Sequence, residues 1–232
     1  MIPRPSSLVS FQNVGLTFKG KVRLFSKLNL AIQEKEFYFL TGLSGAGKST
    51  LLKLIYRGLA QTSGQITAFG EDLFNIQNLA ALRRKIGIVF QDFRLIPHLT
   101  AIENVALPLK VRGISSHKAL KQAKDLLVWV GLEDVMHQLP HTLSGGQQQR
   151  VAITRAVVGK PKLLLADEPT GNVDEDAARK ILYLFEELHK AGTTIILATH
   201  NRSLAKEFKH PEIFLKKGQA VLLNQRTRGA QA

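Results

Sequence analysis

Residues 42–49 read GLSGAGKS, which fits the spacing G-x-x-x-x-G-K-[ST] with Gly42, Gly47, Lys48 and Ser49 at the fixed positions. Glycines let successive backbone N–H groups turn toward one anion, and the start of a helix adds its dipole at the same point. Lys48 can reach the terminal phosphates of a nucleoside triphosphate, and the Ser49 hydroxyl can coordinate Mg²⁺. Ser44, Gly45, Ala46 and Thr50 complete the cradle. The apolar run FYFLT precedes the motif and KSTLLKLIYRG follows it, the strand and helix that such a loop requires.

Four further positions could complete hydrolysis. KLLLADEP is an apolar strand ending in Asp167 and Glu168. Ligands of open α/β sheets bind beyond the carboxyl ends of the strands, so both carboxylates are expected in the crevice of the phosphate loop. Asp167 is expected to serve Mg²⁺ and Glu168 to polarise water. Alone, an acidic pair after a strand reads as a solvated strand end; beside a phosphate loop, the catalytic reading wins. His200 ends the strand TTIILATH and can hydrogen-bond a γ-phosphate. Gln91 follows IGIVF, and its uncharged amide can touch both Mg²⁺ and water.

A second glycine stretch, LSGGQQQR at 143–150, opens the helical run QQQRVAITRAVVG. Ser144, Gly145, Gly146 and Gln147 therefore form another anion-receptive helix start. One nucleotide is already served by residues 42–49. Either the stretch is only a helix cap, or it serves a second nucleotide. A head-to-tail pair of identical chains resolves this, each stretch closing over the ATP held by its partner.

The elements that must position these residues follow from periodicity. Strand-like runs at 37–41, 86–90, 162–167 and 193–199 are continuously apolar, as strands buried on both faces are. Another run lies at 64–69. Helical patterns alternate with them. Residues 117–132 place Leu120, Ala123, Leu127 and Val130 on one face and stop at Gly131; residues 174–192 start at a capping Asp174, bury Ile181, Leu184, Phe185 and Leu188, and stop at Gly192. The fold class is α/β with a mostly parallel sheet. Residues 8–35 and 60–70 read as an antiparallel β addition, 36–92 and 160–225 as the core, and 93–159 as an inserted segment that looks helical throughout. EIFLKKGQAVLLN reads as a hairpin about KKGQ. The whole of 1–232 is expected to be a single domain.

With 232 residues, 44% apolar and 22% charged, the composition is that of an ordinary globular protein. No cysteine is present, which excludes disulfides and thiolate metal sites and suits a reducing cytosol. The apolar runs are far short of the ~20 residues of a membrane helix, and MIPRPSSLVS does not read as a secretory signal. The net charge of +14 is spread as +8 over residues 1–100, +4 over 101–160 and +2 over the rest. A nucleic-acid module would concentrate charge in a stripe with interleaved aromatics. Here only Lys19, Lys21, Arg23 and Lys27, and LRRK at 82–85, cluster. No nucleic-acid partner is expected.

Taken in order, GLSGAGKS, Gln91, LSGGQ, LLLAD with Glu168, GNVD and His200 resemble the ATP-binding-cassette (ABC) ATPases: Walker A, Q-loop, signature, Walker B, D-loop and H-loop. The resemblance covers essentially the whole chain. It implies a RecA-like P-loop NTPase core with an antiparallel β lobe and a helical subdomain, Mg²⁺-dependent ATP hydrolysis, and a head-to-tail homodimer. It also implies that Ser144 and Gly146 reach the γ-phosphate of the partner's nucleotide and that Asp174 communicates across the dimer. The adenine-stacking aromatic, often tyrosine, would be Phe18 of VGLTFKG, whose phenyl face still stacks but carries no hydroxyl. Gln147 stands where glutamate is common, and Asn201 where aspartate is frequent. FQDFRLIPHLTAIENVALPL and LLLADEPTGNVD are similar to the ATPases that serve a membrane protein in bacterial cell division, and in part to lipoprotein-releasing and macrolide-exporting ATPases. A membrane partner would then contact the region of residues 91–109, holding the chain at the cytoplasmic face of the inner membrane. A soluble ABC ATPase acting on nucleic acid is the reading of another class.

Overall fold

In the computed structural model, residues 7–18, 22–171, 173–201, 205 and 207–223 are described. Lys19, Lys21 and Asn172 of the GNVD stretch lie outside them, as do residues 224–225 of the expected core. The strands are β1 (Ser7–Thr17), β2 (Arg23–Gln33), β3 (Phe37–Gly42), β4 (Ser63–Ala68), β5 (Glu71–Asp72), β6 (Ile86–Val89), β7 (Leu163–Asp167), β8 (Thr194–Ala198), β9 (Glu212–Lys216) and β10 (Gln219–Leu223). The helices are α1 (Lys48–Ile55), α2 (Leu79–Arg84), α3 (Ala101–Val111), α4 (Ser116–Trp129), α5 (Gly145–Val157) and α6 (Glu175–Lys190).

Strands with mixed exposure and strands buried throughout sort into separate sheets. In β2, buried Phe25, Leu28, Leu30 and Ile32 are interleaved with exposed or half-buried neighbours, and the strand pairs antiparallel with β1. With β4 and β5 these form a four-stranded sheet of order β2-β1-β4-β5. Residues 37–41, 163–166 and 194–198 are buried without interruption. They build a six-stranded sheet of order β10-β9-β3-β8-β7-β6, parallel from β9 to β6. The exception is β10, returned antiparallel to β9 through Lys217 and Gly218, both at positive φ as a tight two-residue hairpin requires.

The order β3-β8-β7-β6 sets the site. Residues leaving the carboxyl ends of these four neighbours emerge in one row, with strands about 4.8 Å apart. They are the phosphate loop after β3, His200 after β8, Asp167 and Glu168 at the end of β7, and Gln91 after β6.

The helices α3, α4 and α5 share an apolar cluster of their own, with Val105, Leu109, Ala123, Leu127 and Val151 at its centre. The buried residues of α4 are Ala119, Ala123 and Leu127, spaced i, i+4, i+8. Leu120 and Val130, expected on this face, are only half-buried at its flank; small alanines let α3 and α4 approach closely. In α6 the buried set is likewise Ala178, Ile181, Leu182 and Phe185, with Leu184 and Leu188 beside it. Residues 93–160 are not helical throughout. From 90 to 100 the chain forms no helix: Phe93 and Arg94 adopt positive φ, and Pro97 disfavours helical geometry at Ile96. The helix resumes at Thr100, whose hydroxyl forms a capping box with Glu103. Among the described residues, no helix is long and apolar enough to cross a membrane.

Candidate nucleotide-binding and hydrolysis site

Gly47 caps the start of α1 with φ 101° and ψ 19° and offers no side chain to the helix N–H groups. A Cβ at this position would meet the buried Phe25 ring at 2.9 Å, so glycine is required both by conformation and by space. No acidic residue occupies the first turn of α1, and the N–H groups of Lys48, Ser49 and Thr50 open the helix. Gly45, at φ 75°, lies between Ser44 and Ala46 in the loop. A concave run of backbone donors at a helix start is the geometry that suits phosphate.

Around this loop the side chains are already engaged. Lys48 Nζ donates to the Gly42 carbonyl at 3.3 Å and lies 3.5 Å from Glu168 Oε1, both side chains mostly buried. The Ser49 hydroxyl donates to Asp167 Oδ1 at 3.0 Å. Burial pushes the Asp167 carboxyl above the usual carboxylate range, the Ser49 bond opposes this, and neighbouring Glu168 adds to the rise. A hydroxyl and a half-buried carboxylate side by side are hard oxygen donors of the kind Mg²⁺ takes. Gln91 joins them: with Ser49, Asp167, Lys53, Tyr56 and Arg94 it lines a cavity of about 350 Å³.

Glu168 sits at φ 49°, uncommon for a residue with a side chain, and its N–H donates to the Ala198 carbonyl at 2.9 Å. This conformation turns its carboxylate toward β8. Oε2 accepts the His200 N–H at 3.1 Å and lies 2.9 Å from His200 Nδ1. With Nδ1 donating to that carboxylate, Nε2 faces outward on a side chain that is 72% exposed. Phe18, 41% exposed, follows β1; the register Leu16–Phe25 sets it at the strand end whose Phe25 packs on Gly47. An exposed phenyl at that strand end suits a stacked base.

The second glycine stretch lies apart. Ser144 caps α5 in a full capping box: its Oγ accepts from the Gln147 N–H at 3.3 Å, and Gln147 Oε1 accepts from the Ser144 N–H at 2.8 Å. The Gln147 amide, expected at a nucleotide, is thus turned back on its own helix. Asp174 caps α6 by accepting from the Ala177 N–H at 2.8 Å. Ser144, Gly145, Gly146, Arg150, Asp174 and Lys180 line a separate cavity of about 330 Å³, which shares no lining residue with the Ser49–Gln91 cavity. The residues singled out in the sequence therefore fall into two groups. Lys53, Tyr56 and Arg94, not singled out there, join the first.

Phosphate loop, half-buried carboxylates and histidine on adjacent parallel strands define a P-loop ATPase. The ABC transporter family matches residues 25–171, and the chain belongs to that family. The cell division ATP-binding protein FtsE of Bacillus subtilis is 38% identical over 224 residues, 96% of this chain and 97% of that protein. FtsE of Haemophilus influenzae is 42% identical over 214 residues, 91% of this chain and 98% of that protein. A solved dimeric ATP-binding cassette in a post-hydrolysis state, bound to ADP and Pi, has a TM-score of 0.86 and 37% identity, covering 95% of this chain and 99% of that one.

Proposed function

We propose that the chain is an FtsE-like ATPase subunit. It works as a head-to-tail homodimer that closes on two ATP molecules and passes that closure to an FtsX-like integral membrane partner in bacterial cell division. The observation that carries the dimer is the separation of the signature cavity from the phosphate-loop cavity within one chain. The dimeric cassettes among its structural relatives support the same reading.

Phe18 stacks on the adenine. Residues Gly42 to Thr50 wrap the phosphates, with Lys48 on the terminal ones. Ser49, Asp167 and Gln91 hold Mg²⁺, which offsets the charge of the phosphate oxygens and of the leaving ADP. Incoming phosphates draw Lys48 off Glu168, and the freed carboxylate takes the proton of the water that attacks the γ-phosphorus. His200, oriented through Nδ1, holds the γ-phosphate with Nε2. Across the interface, Ser144, Gly145 and Gly146 of the partner subunit meet that phosphate, with its Asp174 and Gln147 on the same face. The membrane partner seats in a groove of about 680 Å³ between β6 and α3, where Ile88, Phe90 and Leu107 lie among Arg83, Arg84 and Arg112. Through that partner the chain is peripheral at the cytoplasmic face of the inner membrane.

Mixing Ser144→Arg chains with Lys48→Ala chains tests the composite site. Each alone is expected to be inactive, and the mixture to recover phosphate release, because one site per heterodimer keeps both halves. A mixture as inactive as its components would overturn the reading. Copurification from membranes tests the partner: an FtsX-like protein is expected, and recovery of a lipoprotein-releasing permease instead would assign the chain to that transporter type.

A further inference from the structure

Arg155 lies on α5 eleven residues beyond Ser144, about 16 Å along the helix axis. Its half-buried guanidinium grips two consecutive carbonyls of the segment after Gln91: Nη2 donates to Phe93 O at 2.7 Å and Nη1 to Arg94 O at 2.6 Å. Nη1 also reaches Asn104 Oδ1 at 3.5 Å. Phe93 and Arg94 both take left-handed φ, 58° and 49°, which neither side chain favours. Asn104, fully buried on α3, braces the next residues by accepting from the Ile96 N–H at 2.8 Å and donating to the Ile96 carbonyl at 3.1 Å. On the other side of Gln91, the Arg94 guanidinium lies over the Phe90 ring at 4.2 Å. Gln91 is thus bracketed by a stacked pair and a forked clamp, and the clamp is mounted on α5.

Among the described residues, every acceptor of Arg155 is a neutral carbonyl or amide oxygen, so the cation is partly desolvated with no carboxylate among them to compensate it. A neutral side chain would fill the space at lower cost. What arginine alone supplies is a rigid fork that holds two carbonyls at once.

We propose that Arg155 is a positioning residue for ATP hydrolysis: it locks the backbone that carries Gln91 to the helix that presents Ser144 to the partner subunit, so that the two move as one body. The inference rests on the two-chain site proposed above.

The test uses the full chain with Arg155→Lys, which keeps a cation and loses the fork, and Arg155→Met, which keeps the stem and removes the charge. Both are expected to hold ATP with a KM within about twofold of the parent and to lose at least tenfold in kcat. Hydrogen exchange should quicken in residues 90–96 and stay unchanged in β3, β7 and β8. If Arg155→Met does not fold, Arg155→Lys alone decides. Parental kcat in Arg155→Lys, a loss carried by KM, or faster exchange spread over the whole chain would each overturn the proposal. If the parent complements in the mixing experiment while Arg155→Lys turns over normally, only this inference fails; if the mixture is inactive, the two-chain reading fails.

Discussion

Glu168 Oε2 is held twice by one residue, His200, through the backbone N–H at 3.1 Å and through Nδ1 at 2.9 Å. Its other oxygen faces Lys48 at 3.5 Å. The carboxylate therefore bridges the end of β8 and the phosphate loop. Glu168→Gln preserves the shape but cannot take a proton, and its hydrolysis rate is expected to fall by about 10²–10⁴-fold. ATP binding should persist, and light scattering with saturating Mg-ATP should report a dimer; a persistent monomer contradicts the composite site.

Lys48→Ala removes the cation of the phosphate motif, whose Nζ lies 3.3 Å from the Gly42 carbonyl. Binding of a fluorescent ATP analogue is expected to disappear, while the melting temperature changes little. Undiminished binding would contradict the assignment of residues 42–50.

Gly45 and Gly47 separate conformation from space. Gly45→Ala meets only the left-handed φ of 75°, because a Cβ there touches nothing within 4 Å. Gly47→Ala meets φ 101° and the Phe25 ring together. Both variants should be destabilised within about 1–3 kcal/mol, with Gly47→Ala the worse of the two. Thermal denaturation of both proteins checks the order.

Glu103 accepts both the N–H and the hydroxyl of Thr100, at 2.9 and 2.8 Å, and these bonds hold its carboxyl below the usual carboxylate range. A pKa lowered by folding means that protonation favours the unfolded chain. The stabilisation is complete above the ordinary carboxylate range and is lost as pH falls below it through the lowered folded-state value. Glu103→Gln should therefore melt below the parent at neutral pH, with the gap closing in acid; a pH-independent gap would assign the cap to shape alone. Solvent screening keeps the effect small.

Backbone-facing chemistry was legible in the sequence where it needed special residues. The glycines of 42–49, the apolar runs of β3, β7 and β8, and the helix starts at Asp174 and Ser144 announce themselves by type and spacing. The clamp of Arg155 does not, because its partners are carbonyls of Phe93 and Arg94, about 60 positions earlier, and carbonyls carry no residue identity. The irregular course of 90–100 was hidden for the same reason: its brace is the buried amide of Asn104, which reads as an ordinary helical asparagine. On α4, Ala123 and Leu127 are buried as expected, but Ala119 takes the place given to Leu120, because leucine outweighs alanine in any apolar count whereas close helix packing prefers the smaller side chain.

The position of β8 has a consequence for synthesis. β3 and β7 do not pair with one another; each hydrogen-bonds to β8, which lies between them. A nascent chain released as far as residue 190 already contains the phosphate loop, Gln91 and both carboxylates. It lacks the five residues that bring them into a row. Closing the sheet across such sequence distances is slow relative to forming local helices. The row is thus closed late, once residues 194–198 and His200 beyond them have been delivered, and a chain truncated before that point carries the phosphate loop, Gln91 and both carboxylates without the strand that joins them.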